Sequence, residues 1–323
     1  MTTFKDIRGT AIRSVSSDPS NPEEGQIWYN NTIGVLKGYQ LVADAWAAGG
    51  NLGTARYYIA AAGTQTAGLG FGGQTPITTA TEEYSGTSWA AGGALGTGRA
   101  GMGGCGTQTA ALAFGGLAPP GVTPQSATEE YNGSTWGPGG SLNNARRTLA
   151  GAGTQTAGLG FGGYNDGSGN SNSTEKYDGS AWTTSGNLAT ARRGIGGAGT
   201  QTAGLAFGGT STAQTNATEE FNGSTWTAGG NLNTTRAEMA GAGTQTAGLA
   251  FGGDAGGSVT GATEKYDGSA WTNTGSMSTA RFGLGGAGTQ TTGLGFGGYT
   301  TVPTGATEEF TDPTFAVQKI TTS

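Results

Sequence analysis

A unit of 43 to 47 residues recurs along this chain, and the spacing inside the unit is fixed. In each of six copies, Trp precedes Arg by 10 residues and Arg precedes Phe by 15. Such self-similarity indicates one structural unit used repeatedly. The repeated residues are Trp46, Trp89, Trp136, Trp182, Trp226 and Trp271, and Arg56, Arg99, Arg146, Arg192, Arg236 and Arg281.

The composition of the unit argues against helices. Glycine accounts for 67 of 323 residues, and each glycine inside a helix costs about 1 kcal/mol relative to alanine. Alternating pairs such as Leu69 and Phe71 would face one side of an extended strand. The Asn132-Gly133 pair that follows Tyr131 is typical of a two-residue hairpin. Each unit is therefore predicted to form four short antiparallel strands, which makes the fold class all-β.

The order of motifs in each unit resembles the kelch repeat: an arginine, an apolar strand ending in Gly-Gly, then Glu-x-Tyr and Trp. In the third unit the matching residues are Arg146, Phe161-Gly162-Gly163, Glu175, Tyr177 and Trp182. The resemblance covers about residues 46 to 310. Because kelch proteins form one propeller blade per repeat, it implies a six-bladed kelch-like β-propeller with four antiparallel strands per blade.

The first tryptophan predicts how the ring closes. Trp46 precedes Arg56 with the usual spacing, so its strand takes a fourth-strand position, although no complete unit comes before it. The last unit lacks the final Gly turn and Trp. We expect an N-terminal strand at about residues 39–46 to complete the sixth blade and leave no open edge. The predicted domains are an N-terminal anchor arm and hairpin (1–38), the propeller (39–315) and a C-terminal tail (316–323).

The residue types limit the chemistry available to the chain. It has no histidine and one cysteine, Cys105, which removes imidazole chemistry, Ser-His and Cys-His pairs, and cysteine zinc sites. We expect no catalytic residue, no metal and no cofactor. The net charge is −6 without a basic stripe, so nucleic acid is not an expected partner. No apolar run approaches the length of a membrane span, and no membrane insertion is expected.

One glutamate recurs in each unit, and two interpretations are open. The carboxylates could form a ring for metal binding or acid–base work, or each could contact the arginine of its unit. We favour the structural contact, because a site arises where repeat symmetry is broken. The tryptophans are likewise expected to pack between blades rather than to form a stacking platform. The glutamates are Glu82, Glu129, Glu175, Glu219, Glu264 and Glu308.

Only one stretch of each unit varies in length, with 13 to 17 residues from the Phe to the next conserved aromatic residue. These loops are expected at one end of the propeller, and either neutral drift or ligand specificity would explain them. An aromatic beside amides and a carboxylate suits sugar binding, and it equally suits an ordinary polar loop. The candidate ligand-binding residues are Gln74, Gln125, Tyr164, Asn165, Asp166, Asn216, Asp254 and Tyr299.

The N-terminal segment differs from the repeats. Gly25-Gln-Ile-Trp-Tyr-Asn30 begins a predicted hairpin and resembles N-terminal segments of bacteriophage tail-fibre and other virion proteins. The repeat wording Gly-Thr-Gln-Thr-Ala-Gly-Leu-Ala-Phe-Gly-Gly is also similar to kelch-type proteins of marine phages. The resemblance implies a non-enzymatic virion protein, made in the host cytoplasm, that joins other virion proteins through residues 1–38. Its loop face would bind a host-surface glycan or protein, or a neighbouring virion subunit.

Other functions stay open beside this one. The chain could be a propeller glycosidase or lyase that acts on surface polysaccharide through loop carboxylates such as Asp166 or Asp254. That hypothesis predicts a pair of carboxylates across the central channel at a catalytic separation. A capsid-decorating protein and a cellular kelch adaptor are further alternatives.

Overall fold

The computed structural model describes residues 12–42, 44–120, 123–312 and 314–320. Every regular element in these ranges is a β-strand, which confirms the predicted all-β class. The chain divides into two units, one of residues 1–44 and 312–323 and the other of residues 45–311. Residues 1–11 of the expected anchor arm and the last three residues of the expected tail lie outside the described ranges.

Residues 45–311 have a β-propeller-like architecture of four-stranded antiparallel sheets, six of them in the part of the chain that the structure describes. In each sheet the strands are hydrogen-bonded in the order first, second, third and fourth. We number the sheets 1 to 6 in the order of their first strands.

The strand bounds repeat closely from sheet to sheet. The first strands are Ala60–Gly63, Gly103–Gly106, Ala150–Gly153, Gly196–Gly199, Ala240–Gly243 and Gly285–Gly288. The second strands are Gly68–Phe71, Ala111–Phe114, Gly158–Phe161, Gly204–Phe207, Gly248–Phe251 and Thr292–Phe296. The third strands are Thr81–Tyr84, Thr128–Tyr131, Thr174–Tyr177, Thr218–Phe221, Thr263–Tyr266 and Thr307–Thr311. The fourth strands are Trp89–Ala91, Trp136–Gly139, Trp182–Ser185, Trp226–Ala228, Trp271–Thr274 and Ala45–Ala48.

Three variable loops contain short two-stranded ribbons of their own. Each ribbon has two residues per strand and lies between the second and third strands of its sheet. The ribbons are Leu117–Ala118 with Thr123–Pro124, Tyr164–Asn165 with Gly169–Asn170, and Asp254–Ala255 with Ser258–Val259.

Small residues in the inner strands let the sheets approach one another. A Cβ atom built on Gly104 would lie 2.8 Å from the carbonyl oxygen of Ala61 on the neighbouring first strand. A Cβ atom on Gly70 would lie 2.6 Å from the ring of Phe296 in sheet 6. The second strands are buried on both faces. Any side chain that replaces one of their glycines would therefore have to fit against a neighbouring sheet. The glycine content is therefore a packing requirement of these strands.

The tryptophan of each fourth strand packs against the preceding sheet. Its ring centroid lies 4.6–5.0 Å from that of the second-strand phenylalanine there, as for Trp182 and Phe114. Its indole Nε1–H donates to the hydroxyl of a third-strand threonine in that preceding sheet, at 2.9–3.0 Å. Each tryptophan thus contributes both apolar contact and a directional bond across the sheet boundary.

The glutamine of each Gly-Thr-Gln-Thr turn forms a second connection across the same boundary. Its Nε2 donates to two backbone carbonyl oxygens of the preceding sheet at 2.5–3.2 Å, as Gln108 does to Gly68 and Tyr84. The first strands of successive sheets are also in contact, from sheet 1 to sheet 6, and that of sheet 6 contacts that of sheet 1.

Two details of the predicted strands need correction. The chain reversal after Tyr131 is not a two-residue hairpin, because Tyr131 pairs with Trp136 and leaves four residues in the loop. The side-chain Oδ1 of Asn132 accepts bonds from the backbone N–H groups of Ser134 and Thr135, which stabilises this longer turn. The fourth strand of sheet 6 is Ala45–Ala48 rather than 39–46, and it pairs with Thr307–Thr311.

The other unit contains a separate four-stranded sheet of Arg13–Val15, Ile27–Asn30, Val35–Val42 and Thr314–Lys319. The predicted hairpin is present, with Ile27–Asn30 antiparallel to Val35–Val42. Residues 314–319 pair with this hairpin, whereas the sequence placed the divisions at 38 and 315. Asp18 accepts bonds from the Trp28 indole, the Asn30 amide and the Lys37 ammonium group, so one carboxylate holds three side chains of the hairpin.

Candidate ligand-binding site

The arginine and glutamate of each repeat form a buried ion pair. The N···O distances are 2.5–3.2 Å in the six repeats. A backbone N–H near the start of the same arginine segment also donates to each glutamate, as Gly96 does to Glu129 at 2.6 Å. Burial lowers the pKa of Arg236, and the charge of Glu264 opposes this shift. These carboxylates are already occupied, so the arrangement holds strands together and offers no open ring of ligands.

Six equivalent backbone positions, one in each repeat, mark one end of the inner strands. The second residue after each repeat arginine adopts the left-handed region, with φ from 50° to 62°. Three of these residues are glycines, whereas Tyr58, Thr148 and Glu238 are not. Non-glycine residues rarely adopt this conformation, and such strain concentrates at functional sites. The glycines at the alternating positions are Gly101, Gly194 and Gly283.

The same residues are joined by backbone hydrogen bonds. The N–H of each donates to the carbonyl oxygen of the equivalent residue in the preceding repeat at 2.6–2.9 Å, and Tyr58 donates to Gly283. Residues of all six repeats also line a cavity of about 140 Å³ at this end of the inner strands. We call the hydrogen-bonded set of Tyr58, Gly101, Thr148, Gly194, Glu238 and Gly283 the mouth ring.

One side-chain contact joins distant members of the mouth ring. The Tyr58 hydroxyl donates to Oε2 of Glu238 at 2.8 Å, although the two residues are 180 positions apart. Burial raises the pKa of the Tyr58 hydroxyl, and the Glu238 charge raises it further. Burial also raises the pKa of Glu238, against the effect of the Tyr58 hydrogen bond. The carboxyl group is therefore partly shielded from water, and its Oε2 is occupied by the Tyr58 hydroxyl.

A larger cavity of about 330 Å³ opens beside the mouth ring. We call it the mouth cavity; its lining includes Tyr58, Gln74, Arg147, Tyr164, Arg193 and Glu238. The guanidinium carbons of Arg147 and Arg193 lie 4.9 and 5.1 Å from the centroid of the Tyr164 ring. Tyr164 thus holds two cationic groups in place by cation–π contact.

The two arginines differ in their polar partners. Arg147 forms an ion pair with Asp166 at 3.2 Å, and both side chains are partly exposed. Arg193 donates from Nη1 to the neutral Oδ1 of Asn170 at 3.0 Å. Among the described side chains, no carboxylate forms an ion pair with Arg193. The Arg193 guanidinium therefore has no directly paired carboxylate among the described residues, in contrast to Arg147, although the charge of Glu238 in the same lining acts on it.

An aromatic cluster lies on the same face. Tyr57, Tyr58, Phe282 and Tyr299 contact one another with centroid separations of 5.0–6.2 Å. Tyr57 and Phe282 directly follow repeat arginines, and each forms an isolated bridge with the first residue of its variable loop. All four are partly exposed, so this side of the mouth offers apolar surface, while the opposite pair of repeats offers arginines.

The predicted loop residues divide into two groups. Gln74 and Tyr164 line the mouth cavity, Asp166 pairs with a lining arginine, and Tyr299 belongs to the aromatic cluster. The other four bond within or between loops: Asn165 to Ala145, Asn216 to Leu232, Asp254 to Gln214 and Gln125 to Thr123.

Four residues of the site were missed in the sequence: Tyr58, Arg147, Arg193 and Glu238. A usable signal existed, because the two positions after each repeat arginine vary widely in residue type, between an invariant arginine and a position that is always apolar. Bridges pair the first of these positions with the first loop residue in every repeat, for example Arg147 with Tyr164. The variable loop and the residue pair after the arginine thus form one surface.

The opposite end of the inner strands is uniform. A cavity of about 110 Å³ there is lined only by alanine, glycine and Cys105. Cys105 is buried, and burial raises the pKa of its thiol to about 12. The thiol is therefore a packing group at neutral pH.

No protein-family model and no curated protein sequence matches this chain. The described residues contain no group of three His, Cys, Asp or Glu side chains that could hold a metal ion. No helix long and apolar enough to cross a membrane occurs in the described ranges. The mouth cavity combines two cations, one carboxylate and two phenol rings, a set suited to holding a polar ligand.

Proposed function

We propose that the chain is a non-enzymatic structural protein of a bacteriophage particle, in the tail or a tail fibre. Its repeats form a six-bladed kelch-like propeller that binds a host-surface receptor or a neighbouring virion subunit through the variable-loop face. Residues 1–38 attach it to other virion proteins, and no cofactor takes part.

Three sets of contacts support the six-bladed ring. The first strands touch in cyclic order, and the mouth ring links all six repeats through backbone hydrogen bonds. Strand Ala45–Ala48 supplies the fourth strand of sheet 6, with Trp46 against Phe251 of sheet 5 at 5.0 Å. A ring assembled in this way protects the sheet edges between its first and last repeats.

The mouth cavity is the observation that carries the binding function. Strained Tyr58, Thr148 and Glu238 persist where the other repeats have glycine, and cations and aromatic rings gather beside them. The repeat symmetry is broken at this end and kept at the other. Selection for packing alone would favour glycine at all six positions. The three residues that are not glycine therefore support a role in ligand binding.

The assignment to a phage particle depends on the resemblance of Gly25–Asn30 and of the repeat wording to virion proteins. It is tested by labelling purified phage particles with an antibody to residues 45–311. Label at the tail or its fibres supports the proposal, label on the capsid shell supports the decorating alternative, and absence from the particle rejects all virion roles.

The role of the loop face is tested by filling the mouth cavity. Gln74→Trp places a large side chain in the lining, and the fluorescently labelled variant should lose binding to host cells or to the partner subunit. Thr109→Trp, in an exposed turn at the uniform end, is the matched control. Equal binding by both variants and the unmodified protein would reject the loop face as the binding surface.

The glycosidase or lyase alternative has a specific geometric requirement, a pair of carboxylates at the channel. In the lining of the mouth cavity the structure places one carboxylate, Glu238, and Asp166 and Asp254 bond to Arg147 and Gln214. Assays of reducing-end release and of unsaturated products on host polysaccharide would identify this activity. Turnover that is lost in Glu238→Gln would replace the binding proposal.

A further inference from the structure

We infer that the mouth cavity binds a sugar residue bearing a carboxylate, with Arg193 as the residue that receives that group. The inference rests on the proposed function, for which it names the class of ligand.

The charge arrangement of the lining points to an anionic group on the ligand. Arg147 and Arg193 both lie against the Tyr164 ring, which keeps two like charges near each other. Asp166 compensates Arg147, whereas the Arg193 side chain donates to the neutral Asn170 and pairs with no carboxylate among the described residues. A planar guanidinium with donors left over matches a carboxylate in two parallel hydrogen bonds.

The remaining lining argues for a sugar rather than a bare anion. Glu238 lies in the same lining as Arg193, and a simple inorganic anion has no hydrogen-bond donor to offer its carboxylate. A sugar acid satisfies both groups, because its carboxylate bonds to Arg193 while a ring hydroxyl donates to Glu238. The Gln74 side chain, which contacts the Tyr57 hydroxyl, adds another polar group for ring hydroxyls.

The size of the cavity argues for one sugar ring rather than a peptide. Its volume of about 330 Å³ lies near the lower end of small-molecule pockets, which range over about 300–1,000 Å³. An acidic peptide needs an extended groove or a free sheet edge for its backbone. The site instead is bounded by the mouth ring, whose backbone N–H groups already donate to neighbouring repeats.

Tyr164 is a positioning residue in this arrangement. Its ring orients both guanidinium groups, so the anion-binding geometry exists before the ligand arrives. Preorganisation of this kind reduces the entropy lost on binding. Tyr164→Phe keeps the ring and should retain binding, whereas Tyr164→Ala should weaken it because the guanidinium groups lose their support.

The test is titration of the full chain with D-glucuronic acid, D-glucose and sodium sulfate, followed by saturation-transfer NMR. We expect glucuronate to bind about tenfold or more tightly than glucose, the size of effect that one charge-assisted contact supplies. Sulfate at equal concentration should not displace glucuronate. Arg193→Gln should lower glucuronate affinity by about tenfold without changing the melting temperature by more than a few degrees.

Lys176→Gln is the matched control, because it removes the same charge on a third strand, where the lysine bonds to the Gly223 carbonyl oxygen. It should bind glucuronate like the unmodified chain. Equal affinity for glucose and glucuronate, or an Arg193→Gln variant with full affinity, overturns the inference. Displacement by sulfate would assign a simple anion site, and tighter binding of a hexaglutamate peptide would assign a peptide site.

Failure of the ligand class is separable from failure of the proposed function. If Gln74→Trp abolishes cell or subunit binding while glucose and glucuronate bind alike, the loop face is functional and the acidic sugar is wrong. If cell or subunit binding survives Gln74→Trp, the proposed function itself fails, whatever the sugar titration gives.

Discussion

Three residues of the mouth ring, Tyr58, Thr148 and Glu238, have a strained backbone conformation where the equivalent residues of the other repeats are glycine. A left-handed conformation costs an L-residue about 1–2 kcal/mol. Thr148 is the most unfavourable of the three, because its Cβ is branched. Its hydroxyl donates to the Arg147 carbonyl oxygen at 2.8 Å, which fixes the backbone beside a cavity-lining arginine. Glycine serves the same backbone position in sheets 2, 4 and 6.

Replacing Thr148 by glycine should therefore be nearly neutral or stabilise folding by up to about 1 kcal/mol, since relief of strain exceeds the added entropy of the unfolded chain. The control is Thr183→Gly in an exposed part of the fourth strand, which should destabilise by about 0.5–1 kcal/mol. Denaturant unfolding measures both. A Thr148→Gly variant as unstable as the control would show that position 148 is unstrained.

The partly buried carboxylate of Glu238 should make stability depend on pH. Its folded pKa is raised, so its contribution to stability is greatest below the unfolded pKa and is lost as pH rises through the folded value. Glu238→Gln should raise the melting temperature at about pH 7 and have little effect near pH 4. Equal effects at both pH values would contradict a raised pKa.

The residue scale also shows where sequence reasoning stopped. Spacing alone paired Arg146 with Glu175, because both keep the repeat period. Repeat spacing could not predict where the Arg147 side chain lies, because a residue next to a buried arginine looks like any other strand residue. The bridge between Arg147 and Tyr164, and the approach of Arg193 from the next repeat, appear only when the sheets are assembled.

At the scale of elements, the third strands were predictable from the repeated Thr-Glu-x-aromatic sequence, although that of sheet 6 extends to Thr311. Thr128–Tyr131 is buried except at Glu130 and lies next to a turn sequence, and local pattern decides such a strand. The turn itself was misjudged, because the Asn132 side chain stabilises a four-residue loop that competes with the two-residue form. Residues 39–42 were assigned to the wrong sheet, since their partner is 314–319, far away in sequence.

The N-terminal sheet should loosen in acid. Three hydrogen bonds lower the pKa of Asp18 to about 2, chiefly that from Lys37. A depressed folded pKa gives stability that is present above the unfolded value and is lost as pH falls toward about 2. The indole N–H resonance of Trp28, which donates to Asp18, should therefore shift between about pH 4 and pH 2.

In Asp18→Asn the same resonance should be insensitive to pH over that range. Trp89, whose indole donates to a threonine hydroxyl, serves as the internal reference. A Trp28 resonance that moves equally in both proteins would assign the acid response to another group.

For residues 45–311 taken whole, every sheet is held to its neighbours by the same devices. A tryptophan, a glutamine and a row of inner-strand contacts recur at each boundary, including that between sheets 6 and 1. Stability should then be spread evenly around the proposed ring, with no weak boundary between sheets 6 and 1.

Trp46→Ala and Trp182→Ala test this evenness. Both side chains are buried, and each substitution should cost about 3–5 kcal/mol, a fall in melting temperature on the order of 10 °C for a unit of this size. Thermal unfolding of the full chain measures both. If Trp46→Ala were nearly neutral while Trp182→Ala was costly, strand Ala45–Ala48 would contribute little and the closed ring would be wrong.

Strand Ala45–Ala48 has a consequence for how the chain is made. It leaves the ribosome before the first strands of all six sheets, yet its partner Thr307–Thr311 is synthesised after all of them. At roughly 5–20 residues per second, the strand waits for tens of seconds with its edge unpaired. During that interval another nascent copy can supply the missing partner, so crowded polysomes favour exchanged pairs of chains.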